Sequence, residues 1–452
     1  MGRITLEQAA KWCGGQVSPK YKDVVFFGAN NDTRKLKEGQ LFVALQGARD
    51  GHDFIPAALE KGAAAVLCTH CDGDYPAIVV EDTRIALGDI ARGERQRLGC
   101  QVVGITGSVG KSTTKEMVAT VLSSTYRVAK TPVNHNNDIG MPMSILAMPE
   151  DTQVAVLEMG MNHFGEIAYL SKIAKPDMAV IVNIGTMHIE HLGSQEGILQ
   201  AKLEILEGMS KEGQIMLNGD DSLLWNVRNS IENITYFGRK NKDNDVFGFD
   251  IEETEGLTVF KAASGENKMS IRLPMEGRHN VTDALAAVAV GVKFGVTPEN
   301  IEKSLFNFQN MEGRQEIYTH GDYTIINDSY NAGPESMAAA LSVLSGRTGR
   351  HVAVLGEMLE LGVCTPAEHY KVGRIAAEKA DLLFAFGPNS ERTVAGAIVG
   401  GMPVVSTGAY QDRDKLIADL KLKTLPGDVL LFKGSRGMRM ELILEAFLQK
   451  EK

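Results

Sequence analysis

Along the chain, short continuous apolar runs alternate with amphipathic stretches, and the alternation restarts twice. Over 1–98 the periodicity predicts helices at 6–12 and 55–61, strands at 40–45 and 64–67, and a helical exit over 82–99. The stretch 99–312 carries apolar runs at 102–105, 154–158, 179–184 and 214–217. Runs of that kind are buried on both faces, so with helices between them they predict a mostly parallel sheet covered on both sides. The stretch 313–452 repeats the grammar, with strands predicted at 324–327, 352–355, 382–386, 404–406 and 429–432 and helices at 337–344, 367–379, 414–420 and 442–448, a second doubly wound domain. The segment 238–273, dense in Asn, Asp, Lys and Gly with short alternating stretches, reads as a surface β excursion. The expected fold class is α/β in three domains, the middle one a mononucleotide-binding unit and the last Rossmann-like.

The middle unit opens on a phosphate cradle. Gly107, Ser108, Val109, Gly110, Lys111, Ser112 and Thr113 follow the run 102–105 and precede a helical pattern marked by Met117, Val118, Val121 and Leu122. Close-set glycines let backbone N–H groups converge on phosphate oxygens, Lys111 reaches the β/γ-phosphates, and the Ser112 hydroxyl can hold Mg²⁺. The usual spacing has a glycine five positions before Gly110, where this chain has Ile105. A plain strand-to-helix turn is the competing explanation; the strand before and the helix after favour the cradle.

Three further features belong at the same sheet edge. The strand over 154–158 ends in Glu158, where a Mg²⁺ ligand must stand to meet an ion held by Ser112. The next strand delivers Thr186, Met187 and His188, and a neutral imidazole there can ligate a metal, although alone it would read as a surface histidine, as would His191. Ile198, Lys202, Ile205 and Met209 lie at i, i+4, i+7 and i+11, so Lys202 emerges from an apolar helical stripe beside Leu199, Leu203 and Leu206. Snorkelling, or a lysine with a lowered pKa, explains it equally well. Asn280 in Arg278-His279-Asn280 can present an amide to a purine, and Arg314 at the domain junction can swing onto a γ-phosphate. The polar runs 327–334 and 433–436 end strands opposite the phosphate loop, where substrate and nucleotide clamps belong.

Composition excludes more than it specifies. A chain of 452 residues holds about three domains. Five scattered cysteines make no disulfide framework, and Cys68-Thr69-His70-Cys71 has no second pair at zinc-site spacing, so small buried thiols are expected. Without a signal-like or membrane-spanning segment, a reduced cytoplasmic compartment and no integral membrane segment are expected. The net charge of −10 argues against a nucleic-acid partner. No stripe is apolar beyond what a doubly wound core uses, which makes a monomer the expectation.

The set from Thr106 to Thr113, Leu157-Glu158-Met159-Gly160, Asn183 to His188, Arg278-His279-Asn280, Asp328-Ser329-Tyr330-Asn331-Ala332 and Lys433-Gly434-Ser435-Arg436 resembles the ATP-dependent Mur ligases of peptidoglycan synthesis. The stretches 131–140 and 354–362, with Asp32-Thr33-Arg34 and the run 45–53, are similar to the branch that adds D-alanyl-D-alanine to UDP-MurNAc-tripeptide. The resemblance implies a UDP-sugar domain at 1–98, an ATP domain at 99–312, and a domain for the incoming dipeptide at 313–452. It places Asp32, Thr33, Arg34, Gln46 and Gly47 at the uridine-diphosphate end, and Asn136 and Asn137 beside substrate in the central cleft. It further implies ATP on the 107–113 loop and two Mg²⁺ ions held by Ser112, Glu158, His188 and a carbamylated Lys202. Asn280 would meet adenine, Arg314 the γ-phosphate, Asp328 the ribose, and Lys433 and Arg436 the substrate side. Lys111, Lys202, His188 and Arg314 would then be the catalytic set. The chain has Thr33 where Ser is frequent, Ser329 where Asp is frequent, and Glu357 where Asp is frequent. A sister ligase adding an amino acid to folate or to an earlier precursor, and a P-loop switch that forms no bond, are the alternatives that share the phosphate loop.

Overall fold

The computed structural model describes residues 3–449. The first unit is a five-stranded sheet in the order Gln16–Val17, Ala77–Val79, Ala65–Cys68, Leu41–Val43, Ala29–Asn30. Only its first pairing is antiparallel. The exit helix Thr83–Leu98 begins where the Asp82 carboxylate accepts from Arg84 N and Ile85 N, and it stops at Gly99 in the left-handed region. Its buried face, Leu87, Ile90 and Ala91, packs into one cluster with Leu146, Ile167 and Leu170 of the middle unit. The first unit is therefore welded to the second by a shared core.

The middle sheet has nine strands, and Gln101–Thr106 lies at its heart between Val154–Glu158 and Met178–Ile181. Both of its pairings are parallel, with Glu158 beside Ile105 and Ile181 beside Thr106. The chain order reverses on either side of Gln101–Thr106, which opens a crevice at the carboxyl ends of these strands. The segment expected as a surface excursion is instead part of this sheet. Val246–Thr254, Leu257–Ser264 and Asn267–Leu273 extend it as an antiparallel meander. Their inward residues Phe260, Ala262, Ile271 and Leu273 are fully buried in the same core as helix Arg278–Lys293. Polar outward positions, visible in the composition, concealed that inner face.

The last sheet runs Glu316–His320, Tyr323–Asp328, Val429–Lys433, His351–Leu355, Leu382–Phe386, Thr407–Tyr410. Separate apolar layers cover its two faces. The strand predicted at 404–406 is a 3₁₀ turn, Val404–Ser406, started by Pro403, and the edge strand follows it. Helix Ser390–Val399 was not anticipated, because its buried face is Ser390, Thr393, Gly396 and Ala397. Those small residues let it approach helix Thr365–Lys379 closely; a Cβ on Gly396 would lie 2.0 Å from Tyr370 O. The predicted helix over 197–209 is α only over Gln195–Leu203 and then tightens to 3₁₀ over Glu204–Gly208. No helix among the described residues is long and apolar enough to cross a membrane.

Candidate active site

A cleft of about 660 Å³ opens where the carboxyl edge of the middle sheet faces the last unit. Its lining brings together Ser108, Val109, Gly110, Lys111, Ser112 and Thr113 with Asn136, Asn137, Glu158, His188, Asn280, Arg314, Asp328, Lys433 and Arg436. Gly107 and Lys202 are not part of the lining, nor are Asp32, Thr33, Arg34, Gln46 and Gly47, which belong to the first unit.

The phosphate loop takes the shape its glycines permit. Gly110 has φ of +82°, and a Cβ there would stand 2.6 Å from Asp283 Oδ1. Helix Lys111–Ser123 starts at Gly110 with no side chain capping it, which leaves its first amides and the positive end of its dipole for an anion. Ile105 takes the place of the expected glycine because it is still inside the strand, fully buried, and the loop begins two residues later. Asn183 clamps the loop, accepting on Oδ1 from Ser108 N (3.1 Å) and Val109 N (2.9 Å) while Nδ2 donates to Val109 O at 2.9 Å. Lys111 donates to Gly107 O at 2.8 Å and Ser108 O at 3.0 Å, and the enclosing walls, with Arg314 nearby, hold its pKa below that of a free lysine. Under the loop, burial pushes the Asp283 carboxyl up to about 8, against one hydrogen bond from Thr114 Oγ1. Asn183 stood in the sequence pattern without a role and Asp283 escaped the reading altogether, since neither clamping a loop nor sitting under one leaves a periodic trace.

Glu158 is 3 % exposed and fully directed. Its Oε2 accepts from Ser112 Oγ at 2.8 Å and its Oε1 from Asn136 Nδ2 at 2.9 Å, so the two residues expected to share an ion already meet. Asn137 uses its Oδ1 to receive Gly140 N at 2.8 Å, leaving its amide hydrogens for the cleft. His188 has φ of +65° and brings Nδ1 to 2.7 Å from Glu360 Oε2, without the alignment of a hydrogen bond. Lys202 is 1 % exposed and, among the described residues, meets no carboxylate. That burial is not the geometry of snorkelling, which keeps the ammonium in water, and desolvation, with Lys111 nearby, moves its pKa well below the usual lysine value.

At the far end, the Asn280 amide is already committed. Nδ2 donates to Glu276 O (2.7 Å) and Gln315 Oε1 (2.8 Å), so only the carbonyl Oδ1 remains to accept from a base. Arg239 lines the same cleft with a buried Nε that has no partner, a group the sequence reading missed. Arg314 lies 3.9 Å over the Tyr330 ring, its Nε likewise unpartnered. Asp328 and Lys433 form a 2.5 Å ion pair, with Lys433 also donating to Asn331 O at 3.0 Å. Lys433 is thus held by the domain's own chain as well as facing the cleft. Arg436 pairs with Glu441 at 3.1 Å. Ser329 donates to Asn327 Oδ1 at 2.7 Å and closes its own turn; Glu357 is buried between His369 and Asn389.

On the first unit, Arg34 forks onto Asp32 (2.9 and 2.8 Å), and that guanidinium lowers the Asp32 pKa to about 2. The Thr33 carbonyl receives Lys61 Nζ at 2.8 Å, Gly47 N donates to Arg49 O at 3.2 Å, and Gln46 bridges to Asp50. Cys68 is buried, and burial pushes its thiol up to about 12. Cys71 is only part-buried, which corrects the expectation for that residue.

Three family descriptions match in succession: "Mur ligase family, catalytic domain" over 28–95, "Mur ligase middle domain" over 105–291, and "Mur ligase, glutamate ligase domain" over 313–436. The chain is 41% identical over 459 residues to the UDP-N-acetylmuramoyl-tripeptide--D-alanyl-D-alanine ligase of Bacillus subtilis, covering 99% of each. It is similar to a crystal structure of MurF from Acinetobacter baumannii, with a TM-score of 0.90, 32% identity and complete coverage of both chains. The MurF ligase of Thermotoga maritima in complex with ADP superimposes with a TM-score of 0.83 at 30% identity, covering 93% of this chain and 97% of that one.

Proposed function

The chain belongs to the Mur ligase family, and we propose that within it this protein joins D-alanyl-D-alanine to UDP-N-acetylmuramoyl-tripeptide at the expense of ATP. The observation that carries the reading is one cleft in which an uncapped, glycine-started helix, Lys111 and the Ser112–Glu158 pair converge opposite cationic and polar groups of a second domain. The terminal carboxylate of the tripeptide attacks the γ-phosphorus, ADP leaves, and an acyl phosphate results. The neutral amine of the dipeptide then attacks the acyl carbon, the C–O bond to phosphate breaks, and the amine's proton leaves with the inorganic phosphate or to solvent.

The donor set fits magnesium. Glu158 and the Ser112 hydroxyl are hard oxygen donors in contact, and no group of three or more His, Cys, Asp or Glu that could cage an ion is present among the described residues. An ion that keeps waters and shares itself with substrate phosphates suits so sparse a set. Bound Mg²⁺ supplies positive charge where the transferring phosphoryl oxygens become more negative. Ser112 and Glu158 would hold one ion, and His188 with Lys202 would serve a second. Lys202 supports a carbamate because CO₂ adds only to a neutral amine, and burial beside Lys111 favours that form. Lys111 and Arg314 orient and neutralise the triphosphate. Asn280 Oδ1, its amide hydrogens already used, can only accept, which suits the 6-amino group of adenine and not the 6-carbonyl of guanine. Asp328 serves the ribose, while Lys433, Arg436, Asn136 and Asn137 serve the peptide side.

Domain roles follow: 1–98 holds the UDP-sugar through Asp32, Thr33, Arg34, Gln46 and Gly47, 99–312 binds ATP, and 313–452 receives the dipeptide. A substrate panel read by mass spectrometry tests this reading. D-Ala-D-Ala with UDP-MurNAc-tripeptide, offered in both L-lysine and meso-diaminopimelate forms, is expected to give the pentapeptide with at least one of them. Product only with glutamate and a folate, or with an earlier precursor, would move the chain to a sister ligase.

A further inference from the structure

Lys115 has no place in the chemistry above, yet it is among the largest fully buried side chains in the molecule. It sits one turn into helix Lys111–Ser123, on its buried face. Its Nζ donates to Thr131 O at 2.8 Å, lies 3.1 Å from Glu116 Oε1 and 3.8 Å from Glu158 Oε2. Thr131 in turn receives Glu158 N on its hydroxyl at 3.0 Å. Glu116 also pairs with Lys130, so two lysines and two glutamates form one network that ends on the carboxylate expected to hold the ion.

We propose that Lys115 is a positioning residue that makes divalent-cation binding at Glu158 conditional on nucleotide. This rests on the metal role given to Glu158 above. Without nucleotide, the charge reaching Glu158 is largely matched: a fixed ammonium stands at 3.8 Å, and Ser112 and Asn136 occupy the oxygens with donors. Lys111 and Arg314 add positive charge to the same cleft. A dication arriving alone at Glu158 is opposed by the ammonium 3.8 Å away in a partly desolvated site, where such terms are several times stronger than in bulk water. A polyphosphate reverses the balance by bringing several negative charges to the loop, so the ion enters with the nucleotide. Lys115 also holds the Thr131 carbonyl, and with it the start of the loop that presents Asn136 to Glu158.

The network predicts opposite signs for two neutralising substitutions. Lys115→Met removes the competing charge and keeps the unbranched stem. Glu116→Gln removes the anion that shares Lys115 and leaves the ammonium more fully on Glu158. Mn²⁺ binding followed by electron paramagnetic resonance, with and without ADP, reads both without turnover. For the unsubstituted protein, tight Mn²⁺ binding is expected only with ADP. Lys115→Met is expected to bind Mn²⁺ without nucleotide about tenfold more tightly or better, Glu116→Gln more weakly, and Lys115→Arg as the unsubstituted protein does. Near-ultraviolet circular dichroism establishes that each variant is folded. Tight Mn²⁺ binding by the unsubstituted protein without nucleotide would overturn the inference even if Lys115→Met failed to fold. So would a folded Lys115→Met with unchanged affinity, or both variants shifting in one direction. Failure of ADP to promote any Mn²⁺ binding would instead strike at the metal role of Glu158 itself.

Discussion

Two buried ionisable groups beside the phosphate loop are set by desolvation, and their consequences differ. Lys202 is kept below its usual pKa by burial and by Lys111, the direction that the proposed carbamate requires. Lys202→Ala is expected to lower kcat by about 10² or more while ATP affinity, carried by Lys111 and the loop amides, stays within a few-fold. Bicarbonate or a short carboxylic acid is expected to restore part of the rate. Unimpaired turnover of Lys202→Ala, measured by ADP release, would exclude the role. Asp283 behaves the other way. Its carboxyl titrates near 8 in the fold and near 3.8 when unfolded, so between those values the folded chain binds a proton that the unfolded chain has released. Stability therefore falls as pH rises through that window, by about 1.4 kcal/mol per unit from this group alone. Asp283→Asn keeps an acceptor for Thr114 and is expected to flatten that slope and to stabilise the domain at pH 7.5. Denaturant melts at pH 5.5 and 7.5 that shift alike with and without the substitution would refute it.

At the scale of elements, the sheet edge works because one turn is forced. Gly110 adopts φ of +82° against Asp283, so Gly110→Ala strains the backbone and drives a methyl into a carboxyl. Nucleotide affinity is expected to fall by about tenfold or more, measured by calorimetry with ADP, while the melting of the last domain stays unchanged. An unaltered ADP affinity would contradict the geometry. This loop and its flanks were legible in the sequence because strands buried on both faces write themselves as unbroken apolar runs, and Gly110-Lys111-Ser112 stood between a strand and a helix. Helix Ser390–Val399 was not, because a close helix contact selects Ser, Thr, Gly and Ala and erases the apolar stripe. The meander over 246–273 was half legible: its polar outer face dominated the composition while Phe260 and Ile271 carried the core. Glu158, His188 and Lys111 could be placed from strand ends. The clamping role of Asn183 and the positions of Arg239 and Lys115 could not, since a side chain that reaches a loop, a cleft or a carboxylate across the fold leaves no spacing to read.

Over the whole molecule, the last unit leans on the middle one through polar contacts. Glu335 Oε1 accepts from Thr186 N and Oγ1 at 3.0 and 3.1 Å, Arg347 pairs with Glu276, and Thr348 N donates to Glu255 at 2.7 Å. The first and middle units, by contrast, share an apolar core, so motion belongs to the junction near 313. Contacts of this polar kind open at small cost, and the free protein is expected to sample wider clefts that close on ligand. Small-angle scattering is expected to show a smaller radius of gyration with an ATP analogue and UDP-MurNAc-tripeptide than without; no change at saturation would contradict closure. The most direct test of the account is a single reaction containing ATP, UDP-MurNAc-tripeptide and D-Ala-D-Ala, with phosphate release followed as each component is omitted in turn. The account predicts ADP, phosphate and UDP-MurNAc-pentapeptide in equal amounts, and no sustained phosphate release when either the tripeptide or the dipeptide is missing. Phosphate release indifferent to both substrates, with no pentapeptide formed, would contradict it.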